Sequence, residues 1–313
     1  MAGDPTMSTL KEAIADYLAV RRAFGFKLRR AELLLADFAR YMEIAGVHTV
    51  TTELAVAWAT NVNGGANWKA SRLGVIRGFA AYRKALDPSS EVPPADLLPH
   101  QGRRATPFIY PNADVVSLMQ AANNLHSRIR RCTYFTLIGL LSVTGMRVGE
   151  AIRLDRGDIN WNDVTLTVRK TKFDKSRLIV LHPTTVAALQ AYDRLRDQLI
   201  SNPLDPSFFV SQASTRLLYC NVQWTFARLV RLANITPRST GRRPRLHDLR
   251  HTFAVRTVLG WYRDGADAAA RLPLLSTYLG HTTPRDTYWY LSATPELLRV
   301  AANRLEHQLG DLP

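Results

Sequence analysis

Residues 279–293 read LGHTTPRDTYWYLSA. A Leu-Gly-His triplet is followed by three consecutive aromatics, Tyr288, Trp289 and Tyr290, and the last of these lies nine residues beyond His281. Taken alone the run fits a buried aromatic cluster, because Tyr and Trp carry large apolar area with one polar handle. A tyrosine held out for chemistry is the rarer reading, since most tyrosines of a globular chain do nothing chemical. The rest of the chain decides between the two.

Three other segments stand out. TGMRVGEAIRL (144–154) carries Arg147 and Glu150, DVTLTVRKTKFDKSRLIVLH (163–182) carries Lys172, and HDLRHTFA (247–254) carries His247 and Arg250. Each is ordinary by itself. Arg147 and Glu150 are spaced as a helix-surface pair. Lys172 sits at the turn of a predicted β-hairpin, with Val164, Leu166 and Val168 alternating before it and Leu178 and Val180 after it; Lys170 and Lys175 are close by. His247 and His251 have i, i+4 spacing, but no HExxH glutamate or nearby cysteine accompanies them, so no metal is expected. Together the segments supply arginines, histidines and a lysine, enough to surround one phosphate. His247 and Arg250, three apart, share a helix face. Arg147 and Arg250 suit the non-bridging oxygens and the added charge of a pentacoordinate transition state. A phenol titrates near pH 10 and needs such surroundings to attack.

Composition points to a polyanion. The 313 residues hold 41 basic and 26 acidic side chains, a net charge of +15, and only seven of the basic ones are lysine. Arginine is the better phosphate fork. Two cysteines, Cys132 and Cys220, exclude a disulfide framework and suit a reducing cytoplasm. The most apolar run, YFTLIGLLSV (134–143), is too short to span a membrane and reads as a buried helix. No secretory signal opens the chain.

Periodicity predicts four helices in residues 1–87, with a break near Gly25 and a cap at Thr51 or Thr52. Leu10, Ile14, Tyr17 and Leu18 form one apolar stripe; Leu33, Leu34, Phe38 and Tyr41 form another. Residues 88–111 are proline-rich without apolar period and read as a surface linker. Residues 112–313 read as mainly helical with the one hairpin, ending in an amphipathic helix.

In order and spacing, TGxRxxE, the hairpin lysine, HxLRH, LGH and the late tyrosine resemble the tyrosine recombinase (phage integrase) family, and the TYWYL ending resembles its transposon-associated integrases. The resemblance implies a mainly α fold with a small β-sheet: an N-terminal helical core-binding (SAM-like) domain, a linker and a catalytic domain. It implies a metal- and cofactor-free site in which Arg147 and Arg250 bind the scissile phosphate, Lys172 is the general acid, His247 is the acid/base or phosphate-binding histidine, His281 donates to the phosphate, Glu150 buttresses the site and Tyr290 is the nucleophile. Double-stranded DNA, further copies of the chain in a synaptic tetramer, and accessory or sister recombinases are the implied partners, in the cytoplasm on the nucleoid. Lys69, Arg72 and Arg77 on the fourth helix, and Arg103 and Arg104 in the linker, are the expected DNA contacts.

Overall fold

The computed structural model describes residues 9–99, 106–169, 176–200, 205–237, 243–281, 283, 287–288 and 299. The chain divides into two compact units, 1–104 and 105–313.

The first unit is built from α1 (Leu10–Ala23), α2 (Arg29–Ile44), α3 (Thr52–Thr60) and α4 (Ala66–Leu86). A capping box starts α1: the Thr9 hydroxyl accepts from the Glu12 amide, and the Glu12 carboxylate accepts from the Thr9 amide. The break falls at Gly25, which takes φ +82°, a value glycine reaches without steric cost. Thr51 caps α3 by accepting from the Leu54 amide. The core centres on Leu35, Phe38, Met42, Ile76 and Phe79, all fully buried; truncating one such phenylalanine to alanine costs about 3–5 kcal/mol. Leu10, Ile14, Tyr17 and Leu18 face inward as the periodicity predicts. The second stripe is shifted: Leu33 is 72% exposed and Leu35 takes its place inside. In a run of three leucines the period alone does not choose between neighbours.

The second unit comprises α5 (Asn112–Ala121), α6 (Arg128–Thr144), α7 (Val148–Ile152), strands β1 (Ile159–Asn160), β2 (Thr165–Val168) and β3 (Arg177–Val180), then α8 (Pro183–Leu199), α9 (Tyr219–Leu232), α10 (Asp248–Arg263) and α11 (Ala268–Leu279). The strands form an antiparallel sheet in the order β1-β2-β3, with Leu166 opposite Ile179 and Val168 opposite Arg177. The added strand β1 was not evident in its two residues. On β2, Leu166 and Val168 are buried as expected, but β3 buries Ile179 and leaves Leu178 and Val180 exposed, the reverse of the predicted face. A one-residue shift in register turns every side chain of a strand over. The hairpin turn expected at Lys172–Lys175 lies outside the described residues.

The apolar run of α6 is buried at Tyr134, Leu137, Ile138, Leu140 and Leu141. Among the described residues no helix is long and apolar enough to cross a membrane. The proline-rich stretch departs from a surface linker at its C-terminal end. Phe108 and Tyr110 are buried in the core of the second unit. The Tyr110 amide donates to Thr252 Oγ1 (2.9 Å), its hydroxyl donates to the Arg245 carbonyl (3.0 Å), and its carbonyl accepts from Arg256 (2.5 Å).

Candidate active site

The TGMRVGE segment is a corner between two helices. α6 ends at Gly145, which takes φ +59°; a Cβ there would meet the Phe253 ring at 2.4 Å, so glycine is required twice over. Arg147 then serves as the N-cap residue of α7, and Glu150, three residues on, reaches back to its amide (2.8 Å). The corner fixes the Arg147 backbone and aims its side chain, 37% exposed, toward the end of α11.

The HDLRH segment opens α10. Asp248, buried in the first turn, accepts from the Arg245 amide (2.9 Å) and guanidinium (2.8 Å). Arg245 in turn receives the Tyr110 hydroxyl on its carbonyl. This lattice holds the start of α10, and with it His247 at the N-cap and Arg250 one turn in. His247 keeps an exposed edge, and its ring meets His251 edge-on with centroids 4.8 Å apart. Arg250 is 2% exposed; it donates to the Gly145 carbonyl (2.9 Å), the Leu279 carbonyl (2.7 Å) and His281 Nε2 (2.8 Å).

The LGH segment closes α11. Gly280 takes φ +68°, its amide bonds the Thr277 carbonyl (2.9 Å) and the His281 amide bonds the Ser276 carbonyl (2.9 Å), which is a Schellman end. That motif leaves the final carbonyls of the helix to find other donors. Three arginines supply them in succession: Arg177 to Tyr278 O (2.8 Å), Arg250 to Leu279 O (2.7 Å) and Arg147 to Gly280 O (3.1 Å). The negative end of the helix dipole favours these cations. Arginines from α7, β3 and α10 are thereby gathered at one helix end.

Glu150 lies beneath this cluster, 4% exposed. Burial alone would raise its pKa, but the Arg177 fork and charge, together with the Arg147 amide and guanidinium, outweigh it and hold the carboxyl at about 2. Loss of water around the ring, and then the Arg250, Arg245 and Arg147 charges, push His247 down to about 4; loss of water, then His247 and the neighbouring arginines, push His251 to about 3. Both are neutral at pH 7. Because a guanidinium only donates, His281 Nε2 accepts from Arg250, and its Nδ1 lies 2.8 Å from Thr287 Oγ1. A donor role toward phosphate therefore requires this ring to gain a proton or turn.

The structure thus brings Arg147, Glu150, His247, Arg250 and His281 into one neighbourhood. Lys172 and Tyr290, and the expected DNA contacts Arg103 and Arg104, lie outside the described residues. Tyr288, the neighbouring aromatic, is 52% exposed. Among the α4 residues, Lys69 and Arg77 are half-buried. Arg72 belongs to the interior of its unit: it is 6% exposed, stacks 3.7 Å from the Trp58 ring centroid and donates to the Trp58 carbonyl (3.0 Å). Sequence reading missed Arg177, Arg245 and Asp248 as parts of the site. Asp248 and Arg245 flank His247 and could have been found by their proximity; Arg177 had no signal beyond following the hairpin. Among the described residues no group of three or more His, Cys, Asp or Glu side chains could hold a metal ion.

A corner presents one arginine, a helix start presents a histidine and a second arginine, and a helix end gathers both arginines. Residues 110–296 match the Phage integrase family. The chain belongs to that family, the tyrosine recombinases, site-specific enzymes that cleave and rejoin DNA. It is 42% identical to y4rB of Sinorhizobium fredii, provisionally named an integrase/recombinase, over 97% of this chain and 99% of that protein. It is 28% identical to tyrosine recombinase XerD of Bradyrhizobium diazoefficiens over 70% of this chain and 69% of that one. In fold it is similar to the Tn1549 transposon integrase in complex with transposon right end DNA (TM-score 0.64, 18% identity, 95% of this chain and 99% of that one). It is also similar to the XerH recombinase bound to a palindromic difH substrate (TM-score 0.62, 20% identity, 88% of this chain and 78% of that one).

Proposed function

We propose that Tyr290 attacks a DNA phosphodiester, forming a 3′-phosphotyrosyl bond as the bond to the 5′-oxygen breaks. Lys172 gives the leaving oxygen its proton. His247, neutral and with an exposed edge, takes the phenol proton, and the charge of a bound phosphate raises its affinity for that proton. A 5′-hydroxyl from a partner strand then reverses the step. One phosphoester is exchanged for another at each stage, so no external energy source enters. The observation that carries this reading is the convergence of Arg147 and Arg250 on adjacent carbonyls of the α11 end, 3.1 and 2.7 Å away. Two guanidiniums held side by side suit the oxygens of one phosphate.

The residues in the first unit that suit the DNA backbone are Lys69 and Arg77, with Arg103 and Arg104 in the linker; such contacts give salt-dependent affinity with little base preference. The chain acts as the recombinase of a mobile element, in a synaptic tetramer on nucleoid DNA in the cytoplasm, alongside accessory or sister recombinases. The likeness to a transposon integrase and the net charge of +15 support this.

The test is covalent trapping. Nicked duplexes tiled from DNA flanking the gene are incubated with the chain and resolved on a denaturing gel. An SDS-resistant shift, absent with Tyr290→Phe while DNA binding persists, is expected. A shift that survives in Tyr290→Phe moves the nucleophile to Tyr288, and no shift on any duplex overturns the assignment of strand cleavage to this DNA.

A further inference from the structure

Glu150 is shared by two arginines, and the sharing is unequal. Arg177 engages it with its fork, Nη1 to Oε1 (3.1 Å) and Nη2 to Oε2 (2.7 Å). Arg147 engages Oε1 with a single side-chain nitrogen (3.0 Å), and Oε2 with its backbone amide (2.8 Å). Arg177 is the inner partner, its side chain 12% exposed against 37% for Arg147. Its Nε is fixed on the Tyr278 carbonyl at 2.8 Å. The space it fills is kept by Gly280: a Cβ at that position would lie 2.8 Å from Arg177 Nη1.

This arrangement has a consequence for charge and for geometry. One carboxylate faces two guanidiniums, so the trio carries an excess positive charge. Of the five N–H groups of the Arg147 side chain, two are engaged by described residues, on Glu150 and on Gly280 O. Among the described residues the others meet no acceptor and can receive an oxyanion. Were Arg177 absent, Glu150 would lose the guanidinium fork on both its oxygens, Oε2 would keep only the Arg147 amide, and the fork-to-fork pair that guanidinium and carboxylate prefer would turn the Arg147 side chain away from the site.

We propose that Arg177 is a positioning residue. It occupies Glu150 so that Arg147 is anchored end-on and remains available to the scissile phosphate, and it ties β3 to the α11 end on which Arg147 and Arg250 converge. The substrate in this statement rests on the recombinase reading above; the competition for Glu150 does not.

The experiment uses full-length chain and three variants: Arg177→Met, Arg177→Lys and the pair Arg177→Met/Glu150→Gln. The first readout is the rate at which phenylglyoxal modifies Arg147, followed by peptide mass spectrometry without DNA. The second is single-turnover cleavage of a nicked duplex, measured beside DNA affinity. Arg177→Met is expected to slow Arg147 modification and to lower cleavage by about 10–100-fold, the range that outer-shell partners carry at metal sites, with affinity largely kept. Arg177→Lys, which preserves the charge against Glu150, is expected to fold in any case and to fall between. Removing the carboxylate charge in the double variant is expected to restore the rate of Arg147 modification, which a purely structural role for Arg177 would not allow; cleavage is not expected to recover, because Glu150 itself anchors Arg147.

Unchanged Arg147 modification in Arg177→Met, or a double variant in which Arg147 is modified no faster than in Arg177→Met, overturns the proposal. Should Arg177→Met be unfolded by circular dichroism, Arg177→Lys with wild-type Arg147 modification overturns it likewise. A wild-type chain that forms no covalent product sinks the recombinase reading alone, because the modification arm still decides the role of Arg177.

Discussion

Two of the arginine–carboxylate clusters among the described residues of the second unit are balanced differently. Near the base of the sheet, Arg169 pairs with Asp155 (2.9 Å) and Asp158, while Arg216 pairs with Asp155 (2.6 Å) and Asp205 (2.9 Å). Two cations there meet three carboxylates. At the α11 end, Arg147 and Arg177 share the single carboxylate of Glu150, and Arg250 joins them through carbonyls and an imidazole. The first cluster is closed on itself and fastens loops. The second is short of negative charge and fit to receive it. Arginines of the same type, at similar distances, are thus sorted by the acid they lack rather than by the bonds they make.

The comparison is broken most directly at Arg250. Arg250→Ala is expected to lower the single-turnover cleavage rate by about 10²–10³-fold, the effect of losing one preorganised donor, with Arg250→Lys made beside it as the folding control. If cleavage per folded molecule is unchanged, the α11 end is not where phosphate charge is met.

A second test uses pH. His251 is buried and neutral in the folded chain, with a pKa near 3 against an ordinary 6.5. The unfolded chain therefore binds more protons below pH 6.5, and stability is full above that pH and declines as it falls. Glu150, held near 2, adds its loss only below about pH 4.5. Between pH 6.5 and 4.5 the decline belongs to the histidines and amounts to about 2 kcal/mol for His251. Urea unfolding across that window should flatten in His251→Gln, leaving the smaller slope of His247; an unchanged slope places the titration elsewhere.

Smaller effects sharpen the other side. Asp155→Asn is expected to lower stability by about 1 kcal/mol, since its partners are partly exposed, and to leave cleavage per folded molecule unaltered; thermal unfolding read beside cleavage checks both. Leu33→Lys, on the face turned outward in α2, should shift stability by less than about 0.5 kcal/mol, whereas the adjacent Leu35→Ala should cost about 2–5 kcal/mol.

The residues that chemistry constrains by type and spacing were legible in the sequence: Arg147, Glu150, His247, Arg250 and His281 do meet. Their neighbourhood is legible because each sits at a helix end or corner whose glycine, cap or first turn is itself a local signal. What the sequence did not reveal is non-local. The inward face of β3 depends on pairing with β2, not on the alternation of Leu178 and Val180. Arg72 reads as a DNA contact on an amphipathic helix, yet Trp58 from α3 draws it inside. Arg177 carries no local signal, because Tyr278, whose carbonyl accepts from it, is 101 residues away in sequence.

Tyr110 sets where the second unit can be cut. A fragment beginning at Asn112, the first residue of α5, would discard a fully buried aromatic, its neighbour Phe108, and the donors and acceptors that Thr252, Arg245 and Arg256 expect. The vacancy would open against α10, the helix that carries His247 and Arg250. An expression boundary at or before Thr106 keeps that buttress behind α10; a boundary six residues later removes it and loosens the helix.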